Sequence, residues 1–154
     1  AAEHGHLPVL EWLHTNRTEG CSIQAMNKAA TKGHLHVVEW LHAERTEGCT
    51  IHALWGAAGN GHLSVVKWLH TNRAEDDFST RAMCRAYQTP RAGQLTMDIP
   101  NAMARAASNG HLDVVEWLHV HRTEGCGKKA MDRAARNGHL CVVKWLHANR
   151  TEGC

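Results

Sequence analysis

The order of apolar and polar residues along the chain follows one ten-residue pattern, Gly-His-Leu-x-Val-x-x-Trp-Leu-His, which occurs five times. Successive copies are 28, 28, 49 and 28 residues apart. Self-similarity at a period of this size indicates stacked repeats, in which each unit buries its apolar face against its neighbours. The copies begin at Gly5, Gly33, Gly61, Gly110 and Gly138.

Each unit contains a predicted first helix with one apolar face. In the second unit, Met26, Ala29 and Ala30 lie three and four residues apart, so they share one face of a helix over residues 23–32. Gly33 follows, and glycine commonly ends helices because it adopts the left-handed backbone conformation without strain. Small side chains on the apolar face let another helix approach closely, which predicts contact between the first helices of neighbouring units.

A second helix is predicted over residues 35–45. Leu35, Val38 and Leu41 form one apolar stripe, and Trp40 lies beside it. This stripe is wide enough to pack both on the first helix of the same unit and on a neighbouring unit. The pattern therefore predicts an all-α fold, a helical-repeat solenoid of stacked helix-turn-helix units.

The same residues resemble a known repeat family. Residues 138–146 read Gly-His-Leu-Cys-Val-Val-Lys-Trp-Leu, and Ala134 and Ala135 precede them. This arrangement is similar to the core of the ankyrin repeat and to ankyrin-related repeats of large expanded families in eukaryotes. The resemblance implies an ankyrin-like solenoid that recognises other proteins through variable positions on a fixed scaffold.

The repeats depart from the ankyrin pattern in their length. The period of 28 residues is shorter than the usual ankyrin period of about 33. The missing residues belong to the connection that normally forms a projecting β-hairpin finger. We therefore expect fingers that are shortened or absent, no strands, and a contact surface on the first helix and the loop before it.

We expect one array over residues 1–154, as a fragment of a longer array, with one degenerate unit. Two features mark that unit: the interval of 49 residues is shorter than two periods, and Pro90, Gly93 and Pro100 argue against a complete second helix. The segment is either a binding loop or hinge, or a decayed repeat. The expected units are 1–21, 22–49, 50–77, 78–101 (degenerate), 102–126 and 127–154.

Charge and hydropathy argue against two classes of partner. The net charge is +2 with acidic and basic residues interspersed along the chain, which disfavours nucleic acid. The chain has no run of about 18 apolar residues that could cross a membrane, and no signal peptide is visible. We therefore expect no membrane association and a cytoplasmic location, with the nucleus as the alternative.

The 14 histidines and six cysteines raise the question of a metal site. Neither Cys-x-x-Cys nor His-Glu-x-x-His occurs, although zinc usually takes such local pairs of ligands. Nucleophile and phosphate-loop motifs are absent as well. We therefore expect no metal, no cofactor, no catalytic residues and no enzymatic activity.

Two histidines and one tryptophan recur in every copy of the pattern. We expect the first histidine to hydrogen-bond the neighbouring loop and the tryptophan to pack inside the array, with an exposed aromatic ridge as the alternative. The second histidine is expected to be half-buried and neutral. Because burial lowers the pKa of histidine, this second set predicts a fold that acid destabilises. The second histidines are His14, His42, His70, His119 and His147.

The candidate partner-binding residues are those that vary between units while the packing residues stay constant. Trp55 stands out because the equivalent positions hold Asn27, Ala104 and Asp132, so repetition does not require a tryptophan there. Tryptophan is also common in binding hot spots. The candidates are Gln24, Asn27, Lys28, Thr31, Lys32, His52, Trp55, Asn60, Ser108, Lys129, Asp132 and Arg136.

The pattern and the resemblance together predict a non-catalytic scaffold that binds another protein. Three alternatives stay open: the targeting arm of a larger enzyme, a nucleic-acid binder, and a decayed repeat fragment without an independent role. Because repeat arrays need polar capping units at their ends, and neither end of this chain resembles one, we also expect self-association through the uncapped ends.

Overall fold

A computed structural model describes residues 1–16, 23–44, 51–75, 95–121 and 128–149. A short 3-10 turn at Ala2–His4 precedes the helices. No strand occurs in the described part of the chain, so the prediction of an all-α helical-repeat fold is confirmed. The helices are α1 (Leu7–Asn16), α2 (Ile23–Thr31), α3 (Leu35–Glu44), α4 (Ile51–Gly59), α5 (Leu63–Glu75), α6 (Leu95–Ser108), α7 (Leu112–Val120), α8 (Lys128–Arg136) and α9 (Leu140–Ala148).

Each first helix ends at a glycine in the left-handed conformation, as predicted. At the end of α2, Gly33 has φ +80° and donates its N–H to the carbonyl of Ala30 at 3.1 Å. The N–H of His34 reaches back to the carbonyl of Ala29 at 3.0 Å. This pair of bonds satisfies carbonyls that the helix itself leaves unpaired and turns the chain directly into α3. The same two bonds recur at Gly61, Gly110 and Gly138.

The helices form two layers. The first-helix layer consists of α2, α4, α6 and α8, which contact one another in that order. The second-helix layer contains α3, α5, α7 and α9, each packed on the first helix of its own unit. The alanine pairs of α2, α4 and α6, such as Ala57 and Ala58, are fully buried, which explains how these helices approach so closely, whereas Ala135 of the last pair is exposed.

The valines and leucines of the repeated pattern form the core between the two layers. In α3, Val37, Val38 and Leu41 are buried, which agrees with the predicted stripe except that Leu35 is only half-buried. Repetition carries the same packing into the later units. The equivalent buried residues are Val65, Val66, Leu69, Val114, Val115, Leu118, Val142 and Leu146.

The array continues across the irregular segment because α4 packs directly against α6. Most of the expected degenerate unit lies outside the described residues, but its last part belongs to α6, which begins at Leu95. Pro100, which argued against helix, therefore lies inside one. Proline removes one backbone donor, whereas the following turns of α6 pack on α4 and α8, and this packing outweighs the local preference.

Candidate protein-binding groove

From the second copy of the pattern onward, the first histidine contacts the preceding unit. The Nε2 atom of His34 lies 3.1 Å from the carbonyl oxygen of Glu3, and that of His139 lies 3.0 Å from the carbonyl of Ser108. Because a carbonyl only accepts, Nε2 carries the proton in both rings. In both cases the accepting carbonyl lies at the end of the first helical segment of the preceding unit. The sequence had predicted a hydrogen bond to the neighbouring loop in general.

His62 occupies the same position in the third unit and has a lowered pKa. Burial of its ring is the main cause, and the nearby His111 and His34 add a smaller lowering. A hydrogen bond with the backbone of Thr31 acts in the opposite direction. The neutral ring is therefore the favoured form of His62 in the folded array.

The recurring tryptophans pack between units rather than forming an exposed ridge. The ring of His42 meets Trp68 edge-on with centroids 5.1 Å apart, and the same arrangement joins His70 to Trp117. Trp12, in the first copy of the pattern, is 63% exposed. The packing interpretation is thus confirmed for four of the tryptophans. These are Trp40, Trp68, Trp117 and Trp145.

The structure also corrects one premise about the second histidines. His14 and His147 are exposed, so burial cannot act on them as predicted. His42, His70 and His119 are half-buried beside the tryptophans. His62, whose pKa burial lowers, belongs to the first set.

A groove of about 510 Å³ opens on the first-helix layer, centred on α4. Side chains from four consecutive first helices border it, so residues that lie far apart in sequence meet there. The groove is lined by Thr31, His52, Trp55, Gly56, Gly59, Asn60, Arg105, Ser108, Asn109 and Arg133.

Trp55 is held in this groove by neighbours on two sides. The guanidinium carbon of Arg105, on α6, lies 5.4 Å from the centroid of the Trp55 ring. The ring of His52 meets it nearly perpendicularly at 5.4 Å. A cation over the face of tryptophan is favourable, so Trp55 and Arg105 stabilise each other's position. Trp55 itself is half-buried, with part of the ring packed on the core.

Gly56 lies on the floor of the groove, where the side chain of Thr31 packs against it. The equivalent positions in the other described first helices carry Lys28, Arg105 and Arg133, so this unit alone lacks a long cation there. A Cβ atom at Gly56 would collide with the side chain of Thr31. Glycine inside a helix costs about 1 kcal/mol relative to alanine, and here the close approach of α2 requires it.

Five of the twelve predicted binding residues line the groove: Thr31, His52, Trp55, Asn60 and Ser108. The remaining seven lie on the first-helix layer outside the groove. None of those seven is buried. They are Gln24, Asn27, Lys28, Lys32, Lys129, Asp132 and Arg136.

Sequence comparison between units missed the other groove residues, for identifiable reasons. Arg105 and Arg133 stand at the position of Lys28, which was a candidate, but the two arginines are identical, so variation between units does not mark them. Asn109 serves the scaffold, because its Nδ2 donates to the carbonyl of Gly59 at 2.6 Å and ties α6 to α4. The bond of Asn137 to the carbonyl of Ser108, also 2.6 Å, ties α8 to α6 in the same way.

The two layers differ in the sign of their charged side chains. Among the side chains that the structure describes, the first-helix layer and its turns carry mainly cations: Lys28, Lys32, Arg105, Lys129, Arg133 and Arg136, against Glu3 and Asp132. Within the same set, the second-helix layer and α1 are mainly acidic: Glu11, Glu39, Glu44, Asp113 and Glu116, against Lys67 and Lys144. Charges that alternate along the sequence are therefore sorted by the fold.

The described part of the chain offers no site for metal chemistry and no membrane span. No group of three or more histidine, cysteine or carboxylate side chains converges there to hold a metal ion. Within the same ranges, no helix combines the length and the apolar character that crossing a membrane requires.

Stacked two-helix units of this kind define a helical-repeat protein. The model of a family described as ankyrin repeats (many copies) matches residues 1–42 and 103–147, together more than half of the chain. The chain therefore belongs to the ankyrin repeat family, whose members generally mediate protein–protein interaction and are generally non-catalytic. A comparison with curated proteins gave no match.

Proposed function

We propose that this array is a non-catalytic scaffold that binds a partner protein through the groove centred on Trp55. The observation that carries the proposal is the pairing of Trp55 with Gly56. Trp55 places a large aromatic ring where other units have small or polar residues. Gly56, next to it, stands where other units have a long cation. Comparison between the units does not require a tryptophan at position 55. Gly56 also serves the packing, because Thr31 of α2 lies against it.

The composition of the groove supports binding rather than chemistry. Tryptophan and arginine are the residues most enriched in binding hot spots, where a few side chains provide most of the free energy. Trp55 and Arg105 are in contact and border open space. The seven predicted residues outside the groove would form its rim, which typically contributes less to affinity.

The proposal is tested by affinity capture from cell extract followed by mass spectrometry. Wild-type chain is compared with Trp55→Asn, which introduces the residue found at the equivalent position in α2. Trp12→Asn is the matched control, because it removes an exposed tryptophan from α1, away from the groove. We expect a discrete protein that wild type and Trp12→Asn retain and Trp55→Asn loses.

The affinity difference should be large enough to see in the capture. Truncation of a hot-spot residue costs about 2 kcal/mol or more, which corresponds to roughly thirtyfold weaker binding. Equal retention by Trp55→Asn would move the binding face elsewhere. Capture of no specific protein by folded wild-type chain would contradict the proposed function itself.

A further inference from the structure

We infer that the groove binds an acidic segment of a partner protein, with aspartate or glutamate carboxylates placed against Arg105 and Arg133. This inference rests on the proposed function and adds the chemistry of the partner. It is carried by the charges of the groove, by the position of the arginines and by the absence of a long side chain at Gly56.

The charge of the groove is one-sided. Its described lining includes two arginines and no carboxylate. Arg105 and Arg133 belong to adjacent first helices, α6 and α8, which are in contact. Lys129 and Arg136, on α8, add positive charge on the same layer, whereas the second-helix layer is mainly acidic. Complementary potential of this kind directs an acidic partner to one layer of the array.

Arginine suits this task because its planar guanidinium can bind a carboxylate through two parallel hydrogen bonds. Arg105 already rests on the ring of Trp55, 5.4 Å from the centroid. A side chain held in this way has less rotamer freedom to lose when it binds. The contact that stabilises Trp55 therefore also prepares Arg105 to receive a carboxylate.

Gly56 leaves the groove without a third long cation. Lys28 precedes it along the layer and is already paired with Glu3, at 3.2 Å. Arg105 follows on α6. Between them α4 carries no long side chain at position 56, where Thr31 packs instead, so a partner segment that enters the groove meets Arg105 and Arg133 as its cations.

A peptide fits the distribution of charge better than a nucleic acid does. Nucleic-acid binding commonly uses 6–10 phosphate contacts along a cationic surface. Here two arginines converge in a groove with a tryptophan and small polar residues, and the opposite layer is acidic. A short segment with two or three carboxylates matches this arrangement.

The inference is tested by selecting peptides from a random twelve-residue display library on the full chain. Three proteins are compared: wild type, the double variant Arg105→Gln/Arg133→Gln, and the control Lys67→Gln/Lys144→Gln. The control removes the same charge from exposed positions on the second-helix layer. Thermal unfolding followed by circular dichroism verifies that each protein is folded, and Arg133→Gln alone replaces the double variant if that variant does not fold.

We expect wild type and the control to select peptides at least threefold richer in aspartate and glutamate than the unselected library, and the arginine variant to lose this preference. A selected peptide should bind at least tenfold more weakly when its glutamates are replaced by glutamine, measured by fluorescence anisotropy. A loss of this size is what charge-assisted hydrogen bonds normally provide.

Three results would overturn the inference. Selected peptides without acidic enrichment would show that the groove reads other chemistry, and recovery of no peptide would show that it does not bind short segments. Tighter binding of a labelled single-stranded DNA twelve-mer than of any acidic peptide would assign the arginines to nucleic acid. The capture experiment with Trp55→Asn remains an independent test of the proposed function.

Discussion

At the scale of single residues, the glycine and histidine of the pattern depend on each other across units. Gly110 has φ +81°, and a Cβ atom built there would lie 2.7 Å from Nδ1 of His139 in the next unit. The imidazole therefore occupies the space that the glycine leaves. Gly138 has a similar φ but nothing within 4 Å of its would-be Cβ, so only the backbone requirement applies to it.

The lowered pKa of His62 predicts that acid destabilises the array. The folded state holds its proton less tightly than the unfolded chain, whose histidine pKa is about 6.5. Stability is therefore complete above that value and is lost as the pH falls through the folded pKa. We expect a lower melting temperature at pH 5.5 than at pH 7.5.

His62→Gln should reduce the difference in melting temperature between pH 5.5 and pH 7.5, because glutamine does not titrate. His147→Gln is the control, since it removes an exposed histidine from the last unit. If the melting temperatures at the two pH values differ by the same amount in His62→Gln and in wild type, burial of this ring does not cause the loss of stability in acid.

At the scale of elements, α4 shows how contact with a neighbour overrides helix propensity. Alanine at position 56 would favour the helix by about 1 kcal/mol, yet its Cβ would collide with Thr31 of α2. The short distance between α2 and α4 thus depends on a residue that weakens α4. The same residue lines the groove beside Trp55.

Gly56→Ala should therefore destabilise the array, because overpacking costs about 1–3 kcal/mol and exceeds the gain in helix propensity. Removing the Oγ1 atom of Thr31 should reduce this cost. In a Thr31→Ala background, Gly56→Ala should destabilise the array less than in the wild-type background, because the closest atom is gone while Cβ and Cα of residue 31 still lie 3.0 and 3.3 Å from the added Cβ. Urea unfolding of the four proteins measures both effects, and an equal loss of stability in the two backgrounds would refute this account of α4.

At the scale of the whole molecule, the direct contact of α4 with α6 joins the units on either side of the irregular segment. Asn109 strengthens this junction through its bond to the carbonyl of Gly59. In a repeat array, stability is approximately a sum over units and nearest-neighbour interfaces. One weakened interface can therefore separate the unfolding of the two parts.

Asn109→Ala should lower the free energy of unfolding by about 0.5–1.5 kcal/mol. It should also separate the amide hydrogen exchange of residues 95–149 from that of residues 1–75. Asn137→Ala removes the corresponding bond one interface later, so it should affect mainly α8 and α9. Hydrogen exchange measured by mass spectrometry resolves the segments. A uniform increase in exchange in both variants would indicate that the array unfolds as one unit.

The sequence by itself determined the repeat, the helices and their ends. The bounds of α2 and α3 differ from the predicted helices by one residue, and Gly33 ends α2 as expected. These features follow from local preferences and from apolar periodicity within one unit, which a linear reading can detect. Trp55 was found as well, because comparison between units shows directly that it is an exception.

Only the tertiary structure decided which residues of different units meet. The groove brings together Thr31, Trp55, Arg105 and Arg133 from four helices, and the two layers separate charges that alternate along the chain. The packing of α4 on α6 was also beyond the sequence, because Pro100 suggested an interruption where a helix continues. Such features depend on distances between units and on the balance of many contacts, and the residues of a single unit contain neither.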